Sequence, residues 1–485
     1  MQTVKSDIAA LFKSFNGAVI DTIEKIPQSG SDRVYFRIKT QRSGSGEASS
    51  FIATSSNNLK ENDTFIKFSR HFKKINCPMP AIYAVNSDLS IYVQEDFGDT
   101  SLLNELESKG HTEEVYSLFK KSLRSLAWLQ IRGHNGMNYD WCITSREFGR
   151  QAIISDLLYF KYYFLDTLKL PYDKEKLIDD FEALGNYLSH VDHKYFMFRD
   201  FQSRNVMVKE GEVHFIDYQG GMKGALQYDV ASLLWQARAE LSDDWKKGLL
   251  LYYIGCVEEI LAKPIDKLRF ESQYNGYVLI RLLQVLGAYG FRGLFERKAH
   301  FLISIPVALN NLKWFIGNKQ VGISMPEFDR LLTLITADDI IARFENVRAG
   351  SQTLLLVTIN SFSYKKGIPV DESENGGGFV FDMRGILNPG RFEEYKCMSG
   401  LDKPVKDFLE EQTAMPVFLN SVYNIADIAV TDYIKRDFNN LVINFGCTGG
   451  QHRSVYAAEA LARHLRNKFK VKIALTHTNK DNWQT

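Results

Sequence analysis

The chain has 485 residues, which is too long for one hydrophobic core and suggests about two to four domains. Hydrophobic residues make up 45% and charged residues 24%, the ordinary composition of a soluble globular protein. The formal net charge of +1 gives no basic surplus of the kind that indicates a general nucleic-acid-binding protein.

The cysteines and the apolar runs bear on where the protein resides. The five cysteines are widely spaced and form no CxxC pair: Cys77, Cys142, Cys256, Cys397 and Cys447. This pattern predicts reduced thiols rather than a disulfide framework or a zinc site. The first seven residues lack the apolar segment of a signal peptide, and apolar runs such as 248–256 are far shorter than the roughly 20 residues of a membrane helix. We therefore expect a cytoplasmic protein with no membrane partner.

The first hundred residues have the chemistry of short strands separated by turns. Strands are predicted at 34–39, 51–54 and 89–94, with a turn at 41–46 and a helix at about 64–74. From about residue 102 to 344, apolar residues recur at the three- and four-residue spacing of helices. One irregular segment, 195–224, interrupts this helical part.

The pattern changes near residue 348. A linker at 349–352 precedes alternating strands and helices. The predicted elements are strands at 353–359, 378–382 and 441–445, helices at 404–411 and about 452–467, and a glycine-rich turn at 375–378. This alternation predicts a small α/β domain over 350–485.

The irregular segment carries residues suited to phosphoryl transfer. This reaction needs a carboxylate that orients the acceptor hydroxyl and accepts its proton, and oxygen ligands that hold Mg²⁺ against a triphosphate. Asp200 suits the first role, and Asn205, five residues later, suits the second. Asp217 follows in the strand-like stretch 213–219 as a second metal ligand. A short hairpin between the two loops would bring all three side chains to one edge of a cleft.

These residues resemble the aminoglycoside-phosphotransferase and choline-kinase superfamily, and within it the kinases that phosphorylate the anomeric hydroxyl of N-acetylmuramate or N-acetylglucosamine. The resemblance covers about residues 10–340, and its matching stretches are 30–37, 93–99, 199–207, 217–220, 228–234 and 286–290. It implies an α+β, protein-kinase-like bilobal fold over 1–346, with an N-lobe at about 1–98 and a helical C-lobe at 99–346. ATP and Mg²⁺ are the implied cofactors, and an amino sugar is the implied substrate.

The same resemblance assigns roles to individual residues. Asp200 becomes the catalytic base, Asn205 and Asp217 the metal ligands, and Asp229 the anchor of the catalytic loop. The implied nucleotide contacts come from a hairpin and from the adenine hinge: Gly30, Ser31, Arg33, Arg37, Gln94 and Glu95. The candidate substrate contacts are Asp156, in the segment 148–160 that resembles a sugar-pocket helix, and Arg199 and Arg204 beside the base.

The sequence departs from the family pattern at two places. Phe198 replaces the histidine that usually precedes the Arg-Asp pair, and we expect it to serve the same packing role. The strand 51–56 has no lysine to pair with the phosphates. Arg33 or Arg37, on the preceding hairpin, could supply this positive charge, although either could equally be a solvated strand residue.

The segment 441–455 predicts an anion-binding loop at the start of a helix. A strand, a glycine-rich turn and a helix N-terminus direct backbone N–H groups toward one point, which suits a phosphate. Side-chain donors are added by Thr448, Gln451, His452, Arg453 and Ser454. The five residues between Cys447 and Arg453 also match cysteine-phosphatase loops, so a phosphatase remains an alternative.

Residues 350–483 resemble the C-terminal domain of the RNase adapter protein RapZ, in the stretches 361–369, 379–384, 388–389, 400–404 and 446–454. This resemblance implies a bound sugar phosphate and, for some members, a small RNA. The phosphate site that it implies is lined by Cys447, Thr448, Gly449, Gly450, Gln451, His452 and Arg453, with Asp382 and Arg384 nearby. No G-x4-GK-[ST] motif occurs, so the P-loop domain of RapZ is absent. The basic stretch 463–472 is interpreted as a solvated helix end and strand rather than as an RNA-binding surface.

The sequence therefore predicts an ATP- and Mg²⁺-dependent amino-sugar 1-kinase with a C-terminal domain that binds a sugar phosphate. Two alternatives stay open. One is a kinase for another hydroxylated small molecule, including an aminoglycoside. The other is a pseudokinase fused to a metabolite-sensing or RNA-binding module, which the absent lysine suggests and the intact Asp200, Asn205 and Asp217 oppose.

Overall fold

The computed structural model describes residues 2–26, 33–41, 49–295, 299–302, 304–345, 349–350, 352–371 and 378–484. The predicted nucleotide contacts Gly30 and Ser31, and most of the turns expected at 41–46 and 375–378, lie outside these residues. The chain forms two compact units. Unit 1 comprises Met1–Gly287 with Val307–Ala337, and unit 2 comprises Ala288–Pro306 with Asp338–Thr485. The predicted domains, 1–346 and 350–485, differ from these units in where they place Ala288–Pro306 and the residues from Asp338 onward.

The secondary structure of the described residues follows in chain order. The strands are β1 (Ile20–Lys25), β2 (Val34–Thr40), β3 (Ser50–Ser55), β4 (Ile82–Val85), β5 (Ile91–Glu95), β6 (Lys194–Met197), β7 (Val206–Lys209), β8 (Glu212–Phe215), β9 (Met222–Ala225), β10 (Leu356–Ser363), β11 (Phe379–Asp382), β12 (Asn440–Cys447) and β13 (Lys472–His477). The helices are α1 (Gln2–Phe15), α2 (Leu59–Lys73), α3 (Leu102–Lys109), α4 (Glu113–His134), α5 (Arg150–Tyr163), α6 (Lys174–Ser189), α7 (Leu226–Leu234), α8 (Asp243–Leu261), α9 (Lys267–Tyr289), α10 (Ala299–Leu302), α11 (Ile305–Asn318), α12 (Pro326–Ile335), α13 (Asp338–Ala342), α14 (Lys403–Glu411), α15 (Met415–Lys435) and α16 (Arg453–Phe469).

The N-terminal part of unit 1 is an antiparallel sheet with strand order β1-β2-β3-β5-β4. Alternate residues of β2 and β5 face α1, where Phe36, Ile38 and Val93 pack with Ile8 and Phe12 in one buried cluster. Helix α2 begins at Leu59, earlier than the sequence predicts, because the Asn58 side chain accepts a hydrogen bond from the Glu61 N–H. This lobe places β5, the predicted hinge strand, at the start of the helical part.

The rest of unit 1 is helical and contains two small antiparallel strand pairs, β6–β9 and β7–β8. The loop from β6 to β7 holds Asp200 and Asn205, and the loop from β8 to β9 holds Asp217. The predicted α+β, protein-kinase-like bilobal fold is confirmed.

Unit 2 contains a parallel sheet with strand order β11-β12-β10-β13. Val357 and Ile359 of β10 and Ile443 and Phe445 of β12 lie in its core, together with the apolar face of α16. Strands β10 and β12 run in register to their ends, where Ser363 lies opposite Cys447. The carboxyl ends of both strands therefore meet the loop that precedes α16. The prediction of an α/β domain is confirmed.

In the part of the chain that the structure describes, one helical stretch, Lys267–Phe295, is long and apolar enough to cross a membrane by length and composition. The sequence-based expectation that all apolar runs are too short missed it. Of its most apolar window, 56% is buried inside the protein, as in an ordinary core helix. One such helix is weak evidence for a membrane segment.

Candidate active site and anion-binding loop

Asp229 holds the backbone of the loop that carries Asp200. Asp229 lies on α7, is fully buried, and accepts hydrogen bonds from the backbone N–H groups of Phe198 (2.7 Å) and Arg199 (2.9 Å) and from the Gln130 side chain (2.8 Å). Burial raises the pKa of the Asp229 carboxyl to about 7, although the three hydrogen bonds act in the opposite sense. Asp229 thus fixes the loop from the interior, in the position of the predicted anchor.

Phe198 also belongs to the support of this loop. Its ring is fully buried and makes edge contacts with the rings of Phe201, Phe215 and Tyr218. The side chain packs in the core, and only its backbone N–H takes part in the contact with Asp229. A phenylalanine therefore fills the packing role expected at this position.

Asp200, Asn205 and Asp217 are brought together by the two loops. The Asn205 amide nitrogen donates to the Asp200 carbonyl oxygen at 2.8 Å and lies 3.5 Å from the Asp217 carboxylate. The Ile216 N–H donates to the Asn205 carbonyl at 3.1 Å and joins the loops through their backbones. Because its amide nitrogen is used in this way, Asn205 keeps its side-chain oxygen for another partner.

Two residues of these loops have a left-handed backbone. Arg199 has φ = 79° and Asp217 has φ = 68°, and neither is a glycine. Such conformations cost about 1–3 kcal/mol each and persist where the surroundings impose them. For Arg199 the constraint is the hydrogen bond from its N–H to Asp229, and for Asp217 it is the hydrogen bond from the Gln219 side chain at 2.9 Å.

Asp217 and Asn205 fit a hard divalent cation. A carboxylate oxygen and an amide oxygen are the ligands that Mg²⁺ takes from a protein when substrate phosphates supply others. Among the described residues, no group of three or more His, Cys, Asp or Glu side chains could hold a metal by itself. A shared site of this kind is therefore the arrangement that the residues allow.

The two candidate cations of β2 occupy different surroundings. Arg33 immediately precedes β2, is buried, and pairs with Glu61 of α2, while its other terminal nitrogen lies 4.0 Å from Asp217. Arg37 instead makes a two-pronged pair with Asp96, at 2.7 and 3.1 Å, and a further bond to Asp99 at 2.6 Å. The structure brings Arg33 to the predicted metal site and ties Arg37 to the residues that follow the hinge.

The hinge residues are partly engaged in holding the lobe. The Glu95 carboxylate accepts from the Ala81 N–H at 3.1 Å and from Lys73 at 3.3 Å. The Gln94 side-chain oxygen is buried without a hydrogen-bond partner in the described part of the chain. Any adenine contact at the hinge would therefore come from the backbone or from Gln94 rather than from the Glu95 carboxylate.

A cluster of charged side chains lies near Asp200 and includes two of the predicted substrate contacts, Asp156 and Arg199. Asp156, on α5, lies 3.6 Å from Arg199, whose guanidinium stacks over the Phe148 ring at 4.8 Å. Burial raises the pKa of Asp156, with the like charge of Asp200 acting in the same sense and the charges of Arg199 and Arg281 opposing it. Sequence reasoning named Asp156 and Arg199 but missed Arg281.

Arg281 lies on α9, is buried, donates to the Tyr228 hydroxyl at 3.0 Å and pairs with Gln284. Its sequence signal was a charged residue within the apolar run 277–283 of this helix. Arg204, the remaining predicted substrate contact, is exposed on the turn that precedes β7.

The C-terminal loop presents backbone rather than side chains. Gln451 donates from its amide to the carbonyls of Met398 (2.8 Å) and Gln484 (3.0 Å), and His452 contacts the Tyr395 carbonyl at 2.9 Å. Arg453 is buried, and its Nη1 atom donates to three carbonyl oxygens, those of Met383 (3.2 Å), Arg384 (3.2 Å) and Ile386 (2.8 Å), while its Nε atom is buried without a hydrogen-bond partner among the described residues. These three predicted ligands hold neighbouring backbone in place.

The backbone N–H groups of the loop, unlike these side chains, mostly lack hydrogen-bond partners among the described residues. Gly450 donates to the Cys447 sulfur at 3.2 Å. Within the described ranges, the other N–H groups of the loop have no hydrogen-bond acceptor, namely those of Thr448, Gly449, Gln451, His452 and Arg453. Thr448 and Gly449 are exposed, and Gly450 has the positive φ of 64° that the tight turn requires. The arrangement is that of an anion-binding loop at a helix N-terminus.

The remaining predicted ligands lie to either side. Asp382 and Arg384 pair with each other at 2.6 Å on the surface, and the Arg384 guanidinium stacks over the Tyr364 ring at 4.0 Å. The Cys447 sulfur is only 2% exposed and lies 3.1 Å from the Ser454 hydroxyl. The burial of Cys447 differs from the exposed thiolate that a cysteine phosphatase needs.

Comparisons with known proteins found similarities for the two stretches of the chain that hold these residues. Residues 22–262 match the family model of the phosphotransferase enzyme family, and residues 355–481 match that of the RapZ C-terminal domain. One stretch of the chain is thus similar to phosphotransferases, and a second, separate stretch is similar to the RapZ C-terminal domain. A closer relation of the first stretch to the anomeric sugar kinases is a proposal.

Individual proteins either match only part of the chain or share little sequence identity with it. A nucleotide-binding protein of Endomicrobium trichonymphae is 36% identical over 146 residues, which cover 30% of this chain and 49% of that protein. The chain thus spans about half the length of the curated relatives it matches. A choline kinase structure from Cryptosporidium parvum shares 13% identity with a TM-score of 0.46, covering 68% of this chain and 99% of the other. An amicoumacin kinase solved with AMP-PNP and Ca²⁺ shares 10% identity with a TM-score of 0.44, covering 67% and 99%.

Proposed function

We propose that the phosphotransferase-family domain transfers the γ-phosphoryl group of ATP to a hydroxyl of a small molecule. The observation that carries this proposal is that the Asn205 amide nitrogen contacts both the backbone carbonyl of Asp200 (2.8 Å) and the carboxylate of Asp217 (3.5 Å), which brings the three residues close together. The intact acidic pair and its buried support on Asp229 argue against a pseudokinase.

Each side chain has a role that follows from its surroundings. Asp200 orients the acceptor hydroxyl and accepts its proton as the oxygen attacks phosphorus in line with the leaving ADP oxygen. Asn205, through its side-chain oxygen, and Asp217, through its carboxylate, would hold Mg²⁺. When bound, this ion neutralises charge on the phosphate oxygens.

The acceptor side favours a hydroxyl-rich molecule that carries no positive charge. The carboxylates of Asp156 and Asp200 are matched in charge by the guanidinium groups of Arg199 and Arg281, so this surface has no acidic surplus to attract a polycation. The Asp156 Oδ2 atom is buried without a hydrogen-bond partner among the described residues, and a substrate hydroxyl would satisfy it. We therefore propose an N-acetylated amino sugar, phosphorylated at its anomeric hydroxyl, rather than a cationic aminoglycoside.

The experiment measures ATP consumption by the full chain with Mg²⁺ and a panel of N-acetylmuramate, N-acetylglucosamine, glucosamine and kanamycin. Turnover with an N-acetylated sugar, lost in Asp200→Asn and kept in the exposed control Asp88→Asn, is the expected result. Turnover with kanamycin alone would contradict the acceptor assignment and leave the kinase proposal standing. Equal activity of the wild type and Asp200→Asn would contradict the role of the base.

A second function is favoured by the unpartnered N–H groups of the loop from Thr448 to Arg453. We propose that this loop binds the phosphate of a sugar phosphate. Titration calorimetry should show heat of binding with a hexosamine phosphate and none with the unphosphorylated hexosamine. Binding of both to the same extent would exclude the phosphate as the recognised group.

The remaining assignments follow from the surroundings of the charged and sulfur-containing groups. All five cysteines are free thiols, which agrees with the proposed cytoplasmic location. In the basic stretch 463–472, Lys468 is bound to Asp427 at 2.6 Å, which supports the interpretation of a structural helix end rather than an RNA contact. Filter binding of a small structured RNA by the full chain would contradict it.

A further inference from the structure

The phosphotransferase-family domain needs a cation for the phosphates that ADP retains, and β3 does not supply one. A nucleoside triphosphate carries several negative charges that enzymes of this chemistry meet with a metal and a basic side chain. Strand β3 reads Ser50-Phe-Ile-Ala-Thr-Ser55 and contains no lysine or arginine. The positive charge must therefore come from another element that reaches the same place.

Arg33 reaches that place from the neighbouring strand. In the antiparallel pairing of β2 and β3, Val34 lies opposite Ser55, so Arg33 lies beside the last residues of β3. Its side chain is only 4% exposed and is directed inward, with a hydrogen bond of 3.4 Å to the Tyr35 hydroxyl. An arginine stays protonated in such surroundings, so a full positive charge is buried at this point.

The partners of Arg33 connect it to both sides of the nucleotide site. One terminal nitrogen pairs with Glu61 on the first turn of α2, and the other lies 4.0 Å from Asp217, the proposed metal ligand. The planar guanidinium has five donors in a fixed fork, so it can keep Glu61 and bind a phosphate oxygen at the same time. A residue that only stabilised the lobe would not need to lie beside the metal ligand.

Arg37 is excluded by its own contacts. It lies four residues further along β2, and its three hydrogen bonds go to Asp96 and Asp99. These acids follow the hinge strand and hold the guanidinium there.

We propose that Arg33, held by Glu61, is the phosphate-binding cation of this domain and contacts the non-transferred phosphates of ATP next to the metal held by Asp217. This inference rests on the proposed kinase function. The pair joins Arg33, which precedes β2, to Glu61 of α2, and these two residues lie 28 positions apart in the sequence.

The test compares the affinities of Mg·ADP and adenosine for the full chain, because only ADP presents phosphates. Arg33→Met should weaken Mg·ADP binding about ten- to hundredfold and leave adenosine binding unchanged. Arg33→Lys should recover part of the loss because it keeps the charge, and Glu61→Gln should cause a smaller loss of the same kind. The matched control is Lys39→Met, which removes an exposed positive charge from the same strand.

The outcomes separate this proposal from the kinase proposal. If the wild type fails to bind Mg·ADP, the kinase function is contradicted, and the role of Arg33 with it. If the wild type binds and Arg33→Met binds equally well, or loses ADP and adenosine to the same extent, Arg33 is structural and only this inference is overturned. Loss of phosphate-dependent affinity in Arg37→Met alone would overturn it as well. If Arg33→Met does not fold, the ratio of ADP to adenosine affinity in Arg33→Lys and Glu61→Gln decides the question by the same criteria.

Discussion

The loops around Asp200 and the loop after β12 present different polar groups at their surfaces. In the loops around Asp200, buried residues such as Asp229 and Phe198 hold the backbone, and the polar side chains are left to face a ligand. In the loop after β12, Gln451, His452 and Arg453 hold the backbone, and the N–H groups are left instead. Side chains can change protonation and coordinate a metal, whereas N–H groups only donate. The comparison explains why we place catalysis in the first region and binding alone in the second.

The largest expected effect is on the side chain that acts chemically. Asp200→Asn should lower turnover by about 10²–10⁴, because the variant cannot accept the proton of the acceptor hydroxyl. The measurement is kcat with the best acceptor of the panel, at saturating Mg·ATP. A loss confined to KM would mean that Asp200 only binds substrate, and the contrast between the two loops would weaken.

The support of the first loop is testable through Asp229 and pH. Its pKa is raised from an ordinary value of 3.8 to about 7, so the native state binds a proton more tightly than the unfolded state. Stability is therefore greatest at low pH and falls as pH rises from about 4 to 7, by about 4 kcal/mol for this group. Asp229→Asn should lack this dependence.

Tryptophan fluorescence during chemical denaturation can measure this difference, since five of the six tryptophans lie in unit 1: Trp128, Trp141, Trp235, Trp245 and Trp314. Parallel stability curves of the wild type and the variant across this pH range would mean that Asp229 has an ordinary pKa.

A substitution in the loop from Cys447 to Arg453 should lower stability, whereas a substitution of Asp200 should lower the rate of turnover. Arg453→Met leaves the carbonyls of Met383, Arg384 and Ile386 without their donor, and we expect the free energy of unfolding of unit 2 to fall by about 3 kcal/mol. The control is Arg436→Met, which removes an exposed pair with Asp432 and a contact with the Phe438 ring but no hydrogen bond to a buried carbonyl. Unchanged stability with lost phosphate binding would make Arg453 a ligand and reverse our assignment.

The smallest effect is expected at Thr448, the exposed side chain of the loop. Thr448→Ala should weaken phosphate binding about two- to tenfold, because it removes at most one neutral hydrogen bond and leaves the N–H groups in place. Calorimetry with the hexosamine phosphate measures it, against Ser421→Ala on α15 as an exposed hydroxyl control. A hundredfold loss would show that this side chain, rather than the backbone, carries the binding.

Local sequence determined much of the secondary structure and the location of both loops. Strands β2, β3, β11 and β12 and helices α14 and α16 were predicted within a few residues, because their apolar periodicity and flanking turns are local signals. Helices α1 and α15 were missed, the first within a stretch that the sequence analysis assigned to strands. Which residues of these two helices are buried depends on the sheets that the helices cover. The sequence of a helix does not by itself reveal that sheet.

The candidate site divides in the same way. The spacing of Asp200, Asn205 and Asp217 is a local motif that the sequence carries by itself, as is the glycine-rich loop from Cys447 to Arg453. Only the tertiary structure decided that Arg33 rather than Arg37 lies near Asp217, that the charge of Arg281 acts on Asp156, and that one nitrogen of Arg453 donates to backbone carbonyls. The physical reason is that a charge takes its role from its partners. Those partners are distant in sequence, as Glu61 is from Arg33, and folding alone brings them within reach.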